Sequence, residues 1–526
     1  MVLIGGILGS ADLAAQQTDS LSIADIDYVL RSEGWLSSRN PAGLKDLRVT
    51  SVAAAETFFR KSNGGFHNYH QSDNSYSYGL DVQSFHRLDE NLVLSGSFLY
   101  DAFTGKHMTG SAFIDPYKNP FNIVEMVESM EGNKELETYH LTGAISGQLN
   151  SRLAIGAGID YQSANYAKMR DLRHVNKLLD MCLSAGGAYQ LFRKAGIGVN
   201  YAYQRRVESV RFNFFGNTNE QFSSLIDFGA FFGRKERFGN EGYTDETKPL
   251  TNIGHAVSLQ LNFNFTERSK LFNEFSLTRM KGGFGEDGTD SKLLTEHKVS
   301  EYSYRGIVSL AGERKLQLLR LDITYSTGIN YENELVRQTE PGGVSKAIFI
   351  GKKEVLDKVM FEGKLGYSLF KEIDHNNPGW KLDLDAGYVR RLQTTTLYPF
   401  YRDQTLNRYY VQGRAGRCID AEKRRYNVAI GLAYSAGSGD VKYDGLHTTP
   451  SPSQAPAQTM DLYLTQEWEF FTKPAASADL SVKVSQQIKH NLYPYLLVSY
   501  SYTRAFDTQF LGDHFNTISA RIGCNF

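Results

Sequence analysis

The chain has 526 residues, and 57 Lys and Arg stand against 58 Asp and Glu, so no charge excess steers it toward nucleic acid or an acidic substrate. Three cysteines, Cys182, Cys418 and Cys524, are odd in number and far apart, which argues against a disulfide framework or a zinc site and leaves them as small apolar fillers. A mean hydropathy of −0.38 comes with no apolar run near the roughly 18 residues of a spanning helix, yet 31 Tyr, 32 Phe and 48 Gly beside 12 Pro favour strands and tight turns.

The first stretch, residues 1–15, pairs an apolar run from Val2 to Leu8 with small residues at Ala14 and Ala15, the pattern of a secretory leader whose start lies upstream. Residues 16–45 follow as a short N-terminal segment containing the helix-like "SIADIDYVLRSEGWL". From residue 46 to 526 one pattern dominates. Tyr76, Tyr78, Leu80 and Val82 alternate with Ser77, Gly79, Asp81 and Gln83, and Val257, Leu259, Leu261 and Phe263 alternate with Ser258, Gln260 and Asn262. The same period of two returns through Leu319–Tyr325, Trp380–Tyr388, Tyr426–Tyr434 and Leu496–Tyr502. Alternating faces average to a polar hydropathy, so the low mean does not argue against a membrane barrel.

Short polar turns and longer irregular links take turns along the chain. The turns fall at Leu88–Asn91, Asn150–Arg152, Arg193–Lys194, Thr266–Ser269, Gly312–Lys315, Asp374–Gly379, Asp420–Lys423 and Lys489–Pro494. The long links are Gly105–Glu135, Phe214–Asn252, Gly285–Lys298, Gln338–Lys353 and Ser438–Met460. With a first strand over Leu47–Phe59 and a last over His514–Phe526, the expectation is an all-β, transmembrane, antiparallel up-and-down β-barrel of about 18 strands (range about 14–18), with short periplasmic turns and long extracellular loops. A soluble propeller would show a repeat near 40–50 residues, and none is visible. A barrel of about 22 strands with a folded plug domain would need more chain than remains after the leader.

The chain ends on "NTISARIGCNF", with Ile518, Ala520, Ile522, Cys524 and Phe526 alternating to the last residue. This resembles the terminal strand that bacterial barrel-assembly machinery recognises, and it implies that these five residues are an assembly signal. "NPAGL" at Asn40–Leu44 is similar to the segment opening the barrel in the outer-membrane fatty-acid channel family. That likeness implies a small plug ahead of the barrel, carried here by Asn40, Pro41 and Ala42. As a whole, the aromatic-rich chain resembles the large outer-membrane barrels of the Bacteroidota.

Chemistry is sparse. No G-x-S-x-G, H-E-x-x-H or P-loop pattern occurs, so no enzyme and no cofactor is expected. His67 and His70 sit in a Gly-rich loop, where paired histidines are usually solvated rather than metal-bound. If apolar faces meet lipid, then Arg305, Arg320, Asp322, Lys381, Asp383 and Asp385 point into the lumen, their mixed signs suiting cross-strand pairs more than a single-sign filter. Tyrosines such as Tyr78, Tyr201, Tyr302 and Tyr500 fit an interfacial girdle. The segment "FFGRKERFGNEGY" reads as a folded-in constriction or a partner surface, and Lys423–Arg425 as a solvated turn.

The expected function is an outer-membrane channel or transporter for small solutes, including hydrophobic ones. The alternative is a non-transporting scaffold subunit of a larger complex. Its partners would be outer-membrane lipid, the assembly machinery and neighbouring outer-membrane proteins.

Overall fold

The computed structural model describes residues 24–126, 130–215, 219–239, 242–244, 247–286, 292–339, 345–421, 423–489 and 492–526. The expected leader, residues 1–15, lies outside them. The wall begins with β1 (Ser51–Gly64), β2 (Asn74–Arg87), β3 (Leu92–Met108), β4 (Gly132–Gln148), β5 (Leu153–Lys168) and β6 (Arg173–Phe192). It continues with β7 (Ala195–Asn213), β8 (Lys248–Asn264), β9 (Ser269–Phe284), β10 (Thr295–Ala311), β11 (Lys315–Thr339) and β12 (Ser345–Asp374). The last six are β13 (Asn377–Leu397), β14 (Phe400–Ala421), β15 (Arg424–Ser438), β16 (Ala475–Gln486), β17 (Tyr493–Ala505) and β18 (His514–Asn525).

Each strand pairs antiparallel with the next, and β1 pairs with β18 from Ala54↔Asn525 to Gly64↔Phe515, so the 18 strands form a closed ring. Closure leaves no open edge where all 18 strands overlap, as a strand structure in hydrocarbon requires. The eight polar turns expected from the sequence all join hairpins at one end, here called the short-turn end.

The radial order is the reverse of a soluble protein. Val257 is 52% exposed on the outside, whereas its neighbour Ser258 is 1% exposed on the inside. Tyr78, Tyr201, Tyr302 and Tyr500 are likewise exposed and apolar neighbours surround them, a surface that suits lipid.

Three boundaries differ from expectation. Strand β1 starts at Ser51 rather than Leu47, because Leu47 is buried against Val52, Phe85 and Val93 beneath the short-turn end. The expected link Gln338–Lys353 is mostly strand, since β11 and β12 run to 25 and 30 residues. Register shifts at Asn330/Tyr331 and Glu334/Leu335 break the period of two, which hides this continuation from a pattern search. At roughly 3.3 Å per residue, β12 is about 100 Å long, far more than an apolar band of about 25 Å needs. Third, three of the long links are shorter than expected, because β3 runs to Met108 and β4 resumes at Gly132, β8 begins at Lys248, and β10 begins at Thr295.

Two inner bodies fill the ring. The N-terminal segment forms helix α1 (Ile26–Ser32), capped by Asp25, and helical turns over Gly34–Ser37 and Pro41–Asp46. Tyr28 and Trp35 pack edge-on against Phe370 and Phe272 of the wall, at centroid distances of 5.2 and 5.3 Å. At the other end, loop segments Asn122–Glu125, Ser223–Asp227, Phe232–Arg237 and Gln458–Thr459 pair into a small sheet beside helix α2 (Asp461–Thr472).

Candidate functional site

The inner surface was expected to carry mixed charges, and Arg305, Arg320, Asp322, Lys381, Asp383 and Asp385 all point inward. They divide into two groups. Arg305 and Arg320 share Asp322 at 2.7 and 3.0 Å, and Arg320 and Lys364 reach Asp385 at 3.8 and 3.2 Å. That chain braces the wall. Lys381 and Asp383 instead hold the N-terminal segment, with Lys381 Nζ 2.6 Å from Asp25 and Arg31 Nη2 2.5 Å from Asp383. Glu33 takes Lys270 at 2.8 Å, and Arg305 also donates to Ser37 O at 2.8 Å.

Asn40 is the deepest of these contacts. Its Nδ2 donates to Gly187 O, Val199 O and Gln260 Oε1 at 3.0, 3.2 and 3.0 Å, while its Oδ1 accepts from Ala42 N at 3.0 Å. Ser146 Oγ then donates to Ala42 O at 3.0 Å. Glycines in two neighbouring strands make this approach possible. A Cβ on Gly156 would lie 2.4 Å from Ala42 N, and one on Gly186 would lie 2.2 Å from Asn40 Oδ1. Pro41 and Ala42 are therefore buried against β5.

The long-loop end is closed by ion pairs whose cations are buried. Arg391 forks onto Glu467 of α2 at 2.6 and 3.2 Å, and Arg402 onto Asp444 at 2.6 and 2.9 Å. Lys168 pairs with Glu125, and Lys134 lies 3.7 Å from the same carboxylate. Glu469 accepts the amides of Gln509, Phe510 and Leu511 at 2.8, 2.9 and 3.0 Å, tying α2 to the last loop. The described residues of the link between β7 and β8 fold inward, with Phe228, Phe231, Phe232 and Tyr243 buried.

Burial governs the protonation of this closure. Asp227 is pushed up to about 7 by burial, helped by the nearby Glu467 carboxylate, although the amides of Gly229 and Phe232 oppose the shift. His70 is held down to about 4 by burial between Tyr69 and Tyr117. Burial also works against ionisation of Glu467, yet Arg391 overrides it and keeps the carboxyl below its usual range. Among the described residues, no three His, Cys, Asp or Glu side chains gather as metal ligands.

Between the two inner bodies lies a chamber of about 860 Å³. His140, Asp180, Arg206, Asn252, Asn330 and Glu362 are among its lining. Cys182 also faces it rather than lipid, and Cys418 lines a cleft beside Asp25, so two of the three expected fillers point inward. Sequence reading missed Arg206, His297 and Asn330. Their inward parity was readable, but a chamber needs the register and the closures as well.

At the seam, Ile518 and Ile522 are exposed on the outside. Phe526 N donates to Ala53 O at 3.0 Å. At the turn read as solvated, Arg425 Nε lies 2.6 Å from Asp420, so a clasp holds the β14–β15 hairpin.

Residues 41–526 match the model of a family described as "Family of unknown function (DUF6850)". No curated protein matches the chain. Among solved structures the chain is similar to BauA, the ferric preacinetobactin receptor of Acinetobacter baumannii, at 7% identity, over 90% of this chain and 80% of that one, with a TM-score of 0.41. A variant of the ferric enterobactin receptor PfeA of Pseudomonas aeruginosa gives 10%, 90%, 80% and 0.39. The toluene transporter TodX of Pseudomonas putida gives 10%, 96%, 94% and 0.30.

Proposed function

We propose, for a chain that belongs to the DUF6850 family, a gated outer-membrane channel or transporter for small polar solutes. One observation carries the reading: a chamber of about 860 Å³, with many polar and charged side chains in its lining, lies between two bodies held by ion pairs and hydrogen bonds. A wall of 16–18 strands leaves an aqueous lumen unless something fills it. Here the N-terminal segment acts as the inner gate and the folded loops as the outer one, with short turns in the periplasm and long loops outside. The chemistry asked of the chain is passage, not catalysis.

The experiment is conductance in planar bilayers. Intact protein is expected to be nearly silent. A variant whose inner gate is loosened, Lys381→Glu with Asn40→Ala, is expected to give discrete steps. If that variant migrates as a folded barrel and stays silent, the channel reading fails.

A second reading has its own support. The β11–β12 hairpin carries Ile348, Phe349 and Ile350 exposed near its tip, which suits a scaffold that docks a partner protein. Gentle extraction would then recover a partner in fixed ratio, and shortening the hairpin would release it. A lone monomer after such extraction counts against it.

A further inference from the structure

A row of inward positions crosses six strands along the hydrogen-bonding direction of the sheet. Asp180 is paired with Arg206, Arg206 with Asn252, Asn252 with Gly282, Gly282 with His297 and His297 with Asn330. Directly opposed residues point to the same face, so all of these positions face the lumen. One inward step higher, Leu250 and Phe284 belong to the apolar core of the outer closure. The row is therefore the ceiling of the chamber.

Gly282 shapes it. A Cβ there would lie 2.6 Å from His297 Cε1 and 2.7 Å from Asn252 Oδ1, so only a glycine lets the imidazole reach across β9 to Asn252. That bond takes Nε2–H as donor and leaves Nδ1 as the acceptor of the neutral ring. His297 is 2% exposed and its Nδ1 has no partner. Asn330 is 0% exposed, lines the chamber, and has neither Nδ2 nor Oδ1 bonded. Asn200 Oδ1, also on the lining, is unpaired as well. Buried polar groups are rarely left without partners.

The charges around the chamber cancel. Arg39, Lys118, Arg206 and Lys358 are matched one for one by Asp160, Asp180, Glu301 and Glu362. Such a lining gives an ion of either sign no net attraction, while offering many hydrogen bonds.

We propose that this row is a binding site for a neutral, hydroxyl-rich solute, a sugar or polyol. A hydroxyl donates and accepts at once, which complements the free amide of Asn330, the Nδ1 of His297 and the Asp180–Arg206 pair. A cavity of this size fits the usual range for small-molecule sites, roughly 300–1,000 Å³. The route to the site rests on the proposed channel, but the site itself does not.

Binding and passage are tested separately, with glucose, gluconate and glucosamine as probes of nearly equal size. Saturation-transfer NMR on the intact barrel should show contact with glucose, at least about fivefold weaker signals for the two ions, and loss of the glucose signal in Asn330→Leu. The isosteric Asn330→Asp should lose glucose and gain glucosamine, with folding checked by heat-modifiable gel migration. Equal signals for the three probes, or glucose contact unchanged in both variants, overturns the site. Liposome swelling with the gate-loosened variant then reads passage. If glucose binds but no probe permeates, the site stands and the channel reading falls. If probes permeate but glucose binding is absent, the reverse holds.

Discussion

Ala53 and Phe526 exchange both of their backbone hydrogen bonds, at 2.9 Å from Ala53 N to Phe526 O and 3.0 Å in return. The final residue of the chain thus forms the end of the seam that closes the barrel. Unpaired backbone groups facing hydrocarbon cost several kcal/mol each.

Deleting Phe526 is therefore expected to cut the yield of heat-modifiable, membrane-inserted protein about tenfold, while barrels that do assemble stay as nearly silent in planar bilayers as the intact protein. Phe526→Ala keeps the backbone pair and removes only the ring. If that variant assembles normally while the deletion does not, the seam matters and the aromatic signal does not.

Loosening the inner gate should be possible from either side of one contact. Asn40→Ala removes hydrogen bonds worth about 1 kcal/mol each, so seating should weaken by about 2–4 kcal/mol. Gly186→Val pushes on Asn40 from the wall instead. Both should raise protease cleavage within residues 24–46 and open the lumen to current. Unchanged cleavage in both would mean that the segment is held elsewhere.

The outer gate should respond asymmetrically to its buried pair. Glu467→Ala leaves the Arg391 guanidinium buried and alone, which costs about 3–5 kcal/mol. Replacing both partners, with Arg391→Met and Glu467→Leu, should recover much of that loss. Hydrogen exchange over 461–472 reads the outcome, and a double variant as labile as the single one would show that the ion pair itself is needed.

Acidity should pull this gate in two directions. His70 has a native value near 4 against an ordinary 6.5, so its contribution is present above 6.5 and lost as pH falls toward 4. Asp227 has a native value near 7 against an ordinary 3.8, so its contribution is present below 3.8 and lost as pH rises through 7. Asp227→Asn should leave only the first trend, a closure that tightens from pH 4 to 6.5 by on the order of 3 kcal/mol. His70→Gln should weaken the first trend and leave the second in place. Nicking of the outer loops, normalised to denatured protein at each pH, is the measurement, and parallel profiles for the two variants would refute the assignment.

Much of the wall was legible. Period-two alternation located the strands because lipid outside and water inside impose opposite preferences on neighbouring residues, as Val257 and Ser258 illustrate. The eight short turns were legible for the same reason, as polar breaks between such runs. Asn40 stood out through its motif, but not its partners, since Gly187, Val199 and Gln260 lie on three other strands. The loop sheet and α2 carry no amphipathic signature, because they are buried on more than one side. The β11–β12 extension was hidden by its two register shifts, which move residues across faces without any mark in composition.

The N-terminal segment also bears on how the molecule is built. Arg31 meets Asp383 across 352 positions of chain, and Asn40 meets Gln260 across 220. Although it emerges first, the segment has no seat until strands up to β13 stand in the membrane. Contacts so distant in sequence form late. Its docking is thus an inspection of the finished wall, and a barrel missing even one stave among β5 to β13 would be left unlatched.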